Sequence, residues 1–136
     1  MSPSTPSLYR FLYVSELAPA MPSNVVGQIL RQSREHNHQR QFTGALLFDG
    51  ERFCQLLEGE SAATLALMSN IERDPRHCRM NVIFHAVADQ PRLMKLWQCG
   101  YCEHGSFDVV ETAGLIDPAD AISAFMRLLK TSEMST

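Results

Sequence analysis

The sequence has no run of apolar residues long enough to cross a membrane, and residues 1–7 lack the basic and apolar regions of a signal peptide. It also has no basic excess, since 12 Lys and Arg stand against 15 Asp and Glu, for a net charge of -3. Surfaces that bind nucleic acid or anionic membranes usually carry such an excess. We therefore expect a cytoplasmic protein that makes no direct contact with nucleic acid or membrane.

Motifs of common enzyme classes are missing as well. The chain has no G-x-S-x-G, no P-loop and no dinucleotide fingerprint, and its four cysteines give no disulfide framework. Cys99 and Cys102 form a C-x-x-C pair, but a strand pattern sends them to opposite faces. Dispersed carboxylates, which we interpret as solvated surface or helix caps, are Glu58, Glu60, Glu72 and Asp74. We therefore expect neither an enzyme nor a metal site, and a thiol redox role for the cysteine pair is the alternative.

What is present is the composition of one soluble domain, with 45% hydrophobic and 20% charged residues. Alternating apolar patterns predict five strands, at Leu8–Ser15, Phe42–Phe48, Glu51–Glu58, Met80–Ala88 and Leu93–Tyr101. Helical spacing predicts a helix from an N-cap at Ser23 to Asn37, a second at Ser61–Arg73, a short one ending at Gly114, and a last one at Ala119–Lys130.

This order of elements is typical of an α+β fold, a ferredoxin-like βαββαββ sandwich. The first two long helices would cover one face of the sheet, and the C-terminal helices would pack on the other face. We expect residues 1–7 to be a disordered leader, residues 8–102 to form the main domain and residues 103–136 to form a C-terminal helical extension.

Gln55 is an uncharged amide among apolar strand residues, and burying an amide is costly unless a polar group meets it. Tyr13 would share the helix-facing side of the sheet with Gln55 if their strands are neighbours, and Asn37 faces the same layer from the first helix. Taken singly, each of these residues more often bonds to a nearby backbone group. Taken together, a phenol and two amides without a nucleophile or a metal set suit the recognition of a flat heterocycle with polar edges.

Six short motifs occur in one order along the chain. They are Y-x-S at Tyr13 and Ser15, H-N at His36 and Asn37, T-G-A-L-L at Thr43–Leu47, F-C-Q-L-L-E-G at Phe53–Gly59, D-P-R-H at Asp74–His77, and Trp97. In this order they resemble the BLUF domain, a family of blue-light sensors that use flavin, in its short stand-alone form. The resemblance runs from about Leu8 to Cys102, and it implies that residues 8–102 are a flavin-binding domain whose cofactor is FAD, with FMN as a second possibility.

The resemblance also implies roles for individual residues. Tyr13 resembles the redox-active tyrosine of the family, and Gln55 resembles the glutamine between that tyrosine and the flavin ring. Asn37 matches the asparagine that hydrogen-bonds the carbonyl and N3 edge of the flavin. The other residues implied to contact the cofactor are Ser15, His36, Asp74, Arg76 and His77.

A photoreceptor of this kind would pass an electron and a proton from Tyr13 through Gln55 and then keep a rearranged set of hydrogen bonds around the flavin. Trp97 and Cys99 would carry the signal outward, although the family often has methionine where this chain has Cys99. The role of Asn70, where some relatives have a basic or His contact, stays open. We expect the signal to reach a separate downstream protein, and we expect a homo-oligomer. A redox protein that uses a flavin or the Cys99 and Cys102 thiols is the alternative.

Overall fold

The computed structural model describes residues 7–88 and 91–135. Its strands are β1 (Leu8–Leu17), β2 (Thr43–Phe48), β3 (Arg52–Glu60), β4 (His77–Ala88), β5 (Trp97–Tyr101) and β6 (Glu133–Ser135). Its helices are α1 (Val25–Gln39), α2 (Ser61–Glu72), α3 (Asp108–Ile116) and α4 (Pro118–Leu129). Apart from Ser7, the leader predicted at residues 1–7 lies outside the described residues. Within the described ranges, no helix is both long and apolar enough to cross a membrane.

The six strands form one sheet in the order β4-β1-β3-β2-β5-β6. Neighbouring strands are antiparallel except β2 and β5, which run parallel. Because Asp49 and Gly50 close a tight turn between β2 and β3, these two strands pair directly, as the hairpin signal predicts. The α+β, ferredoxin-like fold predicted from the sequence is confirmed.

Two apolar layers lie on opposite faces of the sheet, because side chains alternate along each strand. On one face, residues of α1 and α2 pack over Phe11, Leu46 and Leu57. On the other face, Phe107 at the start of α3 and Phe125 of α4, both fully buried, join a second layer with sheet residues that include Leu12, Leu47 and Leu56. The expectation that the C-terminal helices cover the second face is therefore confirmed.

Several predicted boundaries are wrong, and hydrogen bonding explains one of them. Helix α1 starts at Val25 with Asn24 in the N-cap position, so Ser23 is not the cap. The predicted strand at Leu93–Tyr101 begins only at Trp97, because the backbone N–H groups of Leu93 and Met94 donate to the Glu58 carboxylate instead of to a strand. Strand β4 starts earlier than predicted, at His77, and β6 has no counterpart in the prediction.

The Glu58 side chain is fully buried, which corrects its interpretation as solvated surface. It accepts a hydrogen bond from Arg10 Nε at 2.7 Å, and Arg10 is itself only 7% exposed. The carboxylate also accepts the backbone N–H of Leu93 at 2.9 Å and that of Met94 at 3.2 Å. Glu58 therefore fixes the segment that leads into β5 against the middle of the sheet.

We expect Glu58→Ala to lower the free energy of unfolding by about 3–5 kcal/mol, because it leaves the Arg10 guanidinium buried without its partner. The matched control is Glu72→Ala, which removes an exposed carboxylate at the end of α2 and should cost no more than about 0.5 kcal/mol. Urea unfolding of both variants measures the difference. Equal costs for the two substitutions would show that the buried pair contributes nothing specific.

Candidate functional site

A cavity of about 260 Å³ lies between the sheet and helices α1 and α2. Its floor comes from three strands, and its walls come from both helices and from the segment between α2 and β4. The lining residues are Tyr13, Ile29, Gln32, Ser33, His36, Asn37, Leu46, Phe53, Gln55, Leu67, Asn70, Ile71, Asp74, Arg76 and His77. The cavity thus collects most of the polar residues that the sequence motifs single out.

Tyr13 and Gln55 are direct partners in the antiparallel pairing of β1 with β3. Directly opposed residues point to the same face, so both side chains meet on the floor of the cavity. The Tyr13 hydroxyl donates to Gln55 Oε1 at 2.5 Å, which is short for a hydrogen bond between neutral groups. The Gln55 amide nitrogen has no acceptor within residues 7–88 and 91–135, which leaves this donor free for a molecule in the cavity.

The Tyr13 phenol is only 4% exposed. Burial, with smaller contributions from Cys54 and Asp74, raises its pKa far above the usual value near 10. The phenol therefore keeps its proton throughout the physiological range, and with it the hydrogen bond that it donates to Gln55.

Asn37 lines the same cavity from α1 and is 2% exposed. Its Oδ1 lies 3.2 Å from Nδ1 of His36, whose ring stacks on Phe42 with the two planes 15° apart. The backbone carbonyl of Asn37 accepts the N–H of Phe42, which fixes the end of α1 against the start of β2. The Asn37 amide is thereby held at the cavity wall by both its side chain and its backbone.

Asp74 and Arg76 form an ion pair at the cavity, in which Arg76 Nε donates to Oδ1 of Asp74 and Arg76 Nη2 donates to Oδ2. Arg76 Nη1 also donates to Gln32 Oε1 at 2.6 Å, which ties the α2–β4 segment to α1. Burial alone would raise the pKa of Asp74, but its hydrogen bonds and ion pair with Arg76 outweigh this effect and lower the pKa below its usual value. Asp74 therefore stays ionised beside the cavity.

Ser15 does not line the cavity, although the family resemblance places it among the cofactor contacts. It is buried behind the cavity, where its hydroxyl bonds to His77 Nδ1 at 2.7 Å. The other ring nitrogen of His77 bonds to the carbonyl of Ile71. Ser15 and Ile71 together fix the orientation of His77, whose ring lies 6.1 Å from that of Tyr13.

Sequence reasoning did not assign the apolar lining or two polar residues, Gln32 and Ser33, to the site. Apolar residues have the same spacing whether they face a core or a cavity, so the pattern assigns the apolar lining to the core. These lining residues are Ile29, Leu46, Phe53, Leu67 and Ile71. Gln32 precedes His36 by one turn, and this i,i+4 spacing could have placed it on the cavity side of α1. Asn70 also lines the cavity, and its Oδ1 accepts a hydrogen bond from Arg73 at 2.7 Å.

Trp97 and Cys99 lie outside the cavity lining, on β5, although both are buried in the same apolar layer as Tyr13. Cys102 packs against the layer on the opposite face of the sheet, so the C-x-x-C pair does not converge on one site. Burial raises the pKa of the Cys102 thiol to about 11. Such a thiol is a poor nucleophile, and this arrangement gives no support to a thiol redox site.

The cavity fits a planar ring with polar edges. Aliphatic and aromatic side chains supply apolar walls for the ring faces, while the amides of Gln55 and Asn37 supply donors and acceptors for its edges. Within the described parts of the chain, no group of three or more His, Cys, Asp or Glu side chains could hold a metal ion. A flavin ring matches this set of groups.

The fold is similar to those of solved proteins. BlrB, described as a BLUF protein in its dark state, aligns with a TM-score of 0.70 at 24% identity over 90% of this chain and 95% of that one. Klebsiella pneumoniae BlrP1, solved as a complex with calcium and cy-diGMP, aligns with a TM-score of 0.63 at 25% identity over 93% of this chain. The match covers only 29% of that BlrP1 chain.

A curated relative is the blue light- and temperature-regulated antirepressor BluF of Escherichia coli (strain K12), which is 33% identical over 70 residues. The match covers 52% of this chain but only 17% of the relative. The model of the BLUF family, described as sensors of blue-light using FAD, matches residues 8–100, well over half of the chain. The protein described here belongs to the BLUF family of blue-light sensors.

Proposed function

We propose that this chain is a blue-light photoreceptor whose cavity holds a flavin and whose signal begins at the pair formed by Tyr13 and Gln55. The observation that carries the proposal is the 2.5 Å hydrogen bond between these side chains on the cavity floor, with the Asn37 amide in the cavity wall. Membership of the family supports the same conclusion. We further propose that the protein has no catalytic turnover of its own.

The residues that would hold the flavin are those whose polar atoms face the cavity. Asn37 and Gln55 would bond to the ring edges, while His36, His77 and the pair of Asp74 with Arg76 would border the ring. When bound, the flavin supplies blue-light absorption and a transient acceptor for one electron and one proton, which return to the chain when the excitation has decayed. The family description favours FAD as this flavin.

Tyr13 is the electron and proton source in this proposal. A phenol can be oxidised, and Tyr13 is buried against the cavity with its hydroxyl already bonded to Gln55 Oε1. A proton that leaves Tyr13 therefore has the Gln55 carbonyl oxygen as its first acceptor. Return of the electron and the proton restores the phenol, so that no net chemical change remains in the protein.

Gln55 supplies the lasting change. Its amide can donate and accept hydrogen bonds. Rotation would turn the nitrogen towards Tyr13 and the oxygen towards the cavity, and tautomerisation would exchange donor and acceptor in place. One rearranged hydrogen bond is worth about 1 kcal/mol net, which changes an equilibrium roughly fivefold. The output is therefore a modest conformational shift that another protein reads.

We propose a separate protein as the receiver of this shift, with Trp97 and Cys99 on the path to it. Leu46 connects the two regions, since it pairs with Gln55 across β2 and β3 and with Cys99 across β2 and β5. We also propose that the protein acts as a homo-oligomer in the cytoplasm, where its four thiols stay reduced.

Purified protein should be yellow, and blue light should shift its flavin absorption slightly to the red, with recovery in darkness. The shift reports the rearranged hydrogen bonds at the flavin edge. Absorption spectra before and after illumination test it, and flavin-loaded protein without any reversible shift would rule out the photoreceptor.

Tyr13→Phe and Gln55→Leu should each abolish the red shift while flavin stays bound, because the first removes the proton donor and the second removes its acceptor. Tyr9→Phe is the matched control for Tyr13, since Tyr9 lies on the same face of β1 but bonds to His85 outside the cavity. Gln39→Leu at the end of α1 is the control for Gln55. A normal red shift in Tyr13→Phe or Gln55→Leu would refute the role given to that residue.

The raised pKa of Tyr13 predicts how its contribution to stability depends on pH. Below about pH 10 the phenol is protonated in both the folded and the unfolded chain, so its contribution is constant. Above that pH the unfolded phenol ionises first, and stability falls by up to about 1.4 kcal/mol per pH unit until the folded pKa is reached.

The measurement is the difference in unfolding free energy between the wild type and Tyr13→Phe, at pH 8 and at pH 11, because other titrating groups cancel in this difference. The wild type should lose about 1.4 kcal/mol relative to the variant. An unchanged difference would show that Tyr13 ionises equally easily in both states.

A further inference from the structure

The outer edge of β5 is covered by a very short strand. Strand β6 has three residues, Glu133–Ser135, which pair antiparallel with Tyr101, Gly100 and Cys99. Glu133 and Ser135 are exposed, and Met134 between them is partly buried. A ladder of three residues is weak on its own, and among the described residues β6 covers three of the five residues of β5. The cover is therefore weakly held.

Gly100 shapes this edge for the close approach of another backbone. A Cβ atom at position 100 would lie 2.0 Å from the carbonyl oxygen of Glu133 and 2.9 Å from Sδ of Met134. No side chain fits there while β6 is in place, so the strand beside Gly100 can lie against β5 only because residue 100 is glycine.

The two sides of the edge differ in chemistry. On the side of α1, a groove of about 460 Å³ is lined by residues that include Arg31, Arg34 and the exposed Tyr101. Arg34 Nη2 donates to Ser135 Oγ at 3.3 Å, and within the described ranges the buried Nε of Arg34 has no acceptor. On the other side, Met134 packs against the apolar layer beneath α3 and α4. An occupant of this edge therefore needs alternating polar and apolar side chains.

We propose that the outer edge of β5 is the docking edge for an extended segment of a partner protein, and that β6 is an internal placeholder for that segment. The partner segment would add as a strand antiparallel to β5, with an apolar residue in place of Met134 and acidic or hydroxyl residues facing Arg31 and Arg34. Glu133 and Ser135 of β6 have this chemistry themselves. The inference that this partner receives the light signal rests on the proposed function.

A partner segment suits the edge better than the β6 strand of a second copy. Exchange of β6 between copies would reproduce the same three pairs without any new contact, so it would gain little over the closed monomer. Among the described residues the ladder with β6 ends at Cys99, and a longer strand could continue the pairing towards Trp97. The additional backbone hydrogen bonds favour the longer occupant.

The docking edge is connected to the cavity along one row of paired residues. Tyr13 pairs with Gln55, Gln55 with Leu46, Leu46 with Cys99, and Cys99 with Ser135. Arg34 provides a second connection, since its Nη2 donates to both Cys99 Sγ and Ser135 Oγ, while its neighbour Ser33 lines the cavity. A change at Gln55 can therefore alter how firmly β6 is held.

The test is a titration, in darkness, of the flavin-loaded protein with the synthetic peptide Lys-Thr-Ser-Glu-Met-Ser-Thr, the sequence of residues 130–136. Binding is followed through the amide NMR shifts of Cys99 and Tyr101. Met134→Asp should release β6, and if β6 covers the edge about nine-tenths of the time, the peptide should bind about tenfold more tightly than to the wild type. Leu115→Asp, which adds the same charge at a residue that is 87% exposed, should bind like the wild type.

Gly100→Val should remove peptide binding, because the added side chain blocks any backbone beside it, and Gly100→Ala serves if the larger variant does not fold. A scrambled peptide with methionine at one end should bind at least tenfold more weakly than the native sequence. The proposal is overturned if Met134→Asp binds the peptide no more tightly than the wild type does. It is also overturned if Gly100→Val and Gly100→Ala bind the peptide as the wild type does, or if Met134→Asp forms a dimer that excludes the peptide. Because the titration uses no light, its failure leaves the photochemical proposal standing, and a missing red shift leaves the docking edge standing.

Discussion

The antiparallel pairing of β1 with β3 is the constraint on which the candidate site depends. It sets Tyr13 opposite Gln55 and brings the phenol to 2.5 Å from the amide oxygen. A shift of one residue in this register would turn one of the two side chains to the other face of the sheet. The register is strongly fixed, because both faces are covered by apolar layers and a shifted strand would bury the wrong residues on each.

The same pairing extends the site across the sheet. The row that begins at Tyr13 continues through Gln55, Leu46 and Cys99 to Ser135 at the outer edge. If this face of the sheet were open to water, such a row would be solvated and loosely packed. Here its first four members are at most 4% exposed, so displacement of one side chain presses directly on the next. The site and the edge are thus parts of one packed layer.

Glu58 shows that a polar group can be as important to this layer as the apolar residues. Its carboxylate holds Arg10 and two backbone N–H groups of the segment before β5. The strand that bears Trp97 and Cys99 therefore begins only after the segment that is hydrogen-bonded to Glu58. This anchor leaves β5 five residues long, and in the described part of the chain three residues of β6 pair with its outer edge.

The sequence by itself determined the order of the elements, the α+β fold and the family, because hydrophobic periodicity and short motifs are properties of the chain in one dimension. It also identified Tyr13, Gln55 and Asn37 as a polar set, and the structure brings all three to one cavity. It did not show that Ser15 stands behind His77, that Glu58 is buried, or that β6 pairs with the outer edge of β5. These features depend on which strands are neighbours and on which groups meet across long stretches of sequence. Only the tertiary structure could decide them, because a carboxylate that is solvated and one that is paired in the core look the same in a sequence.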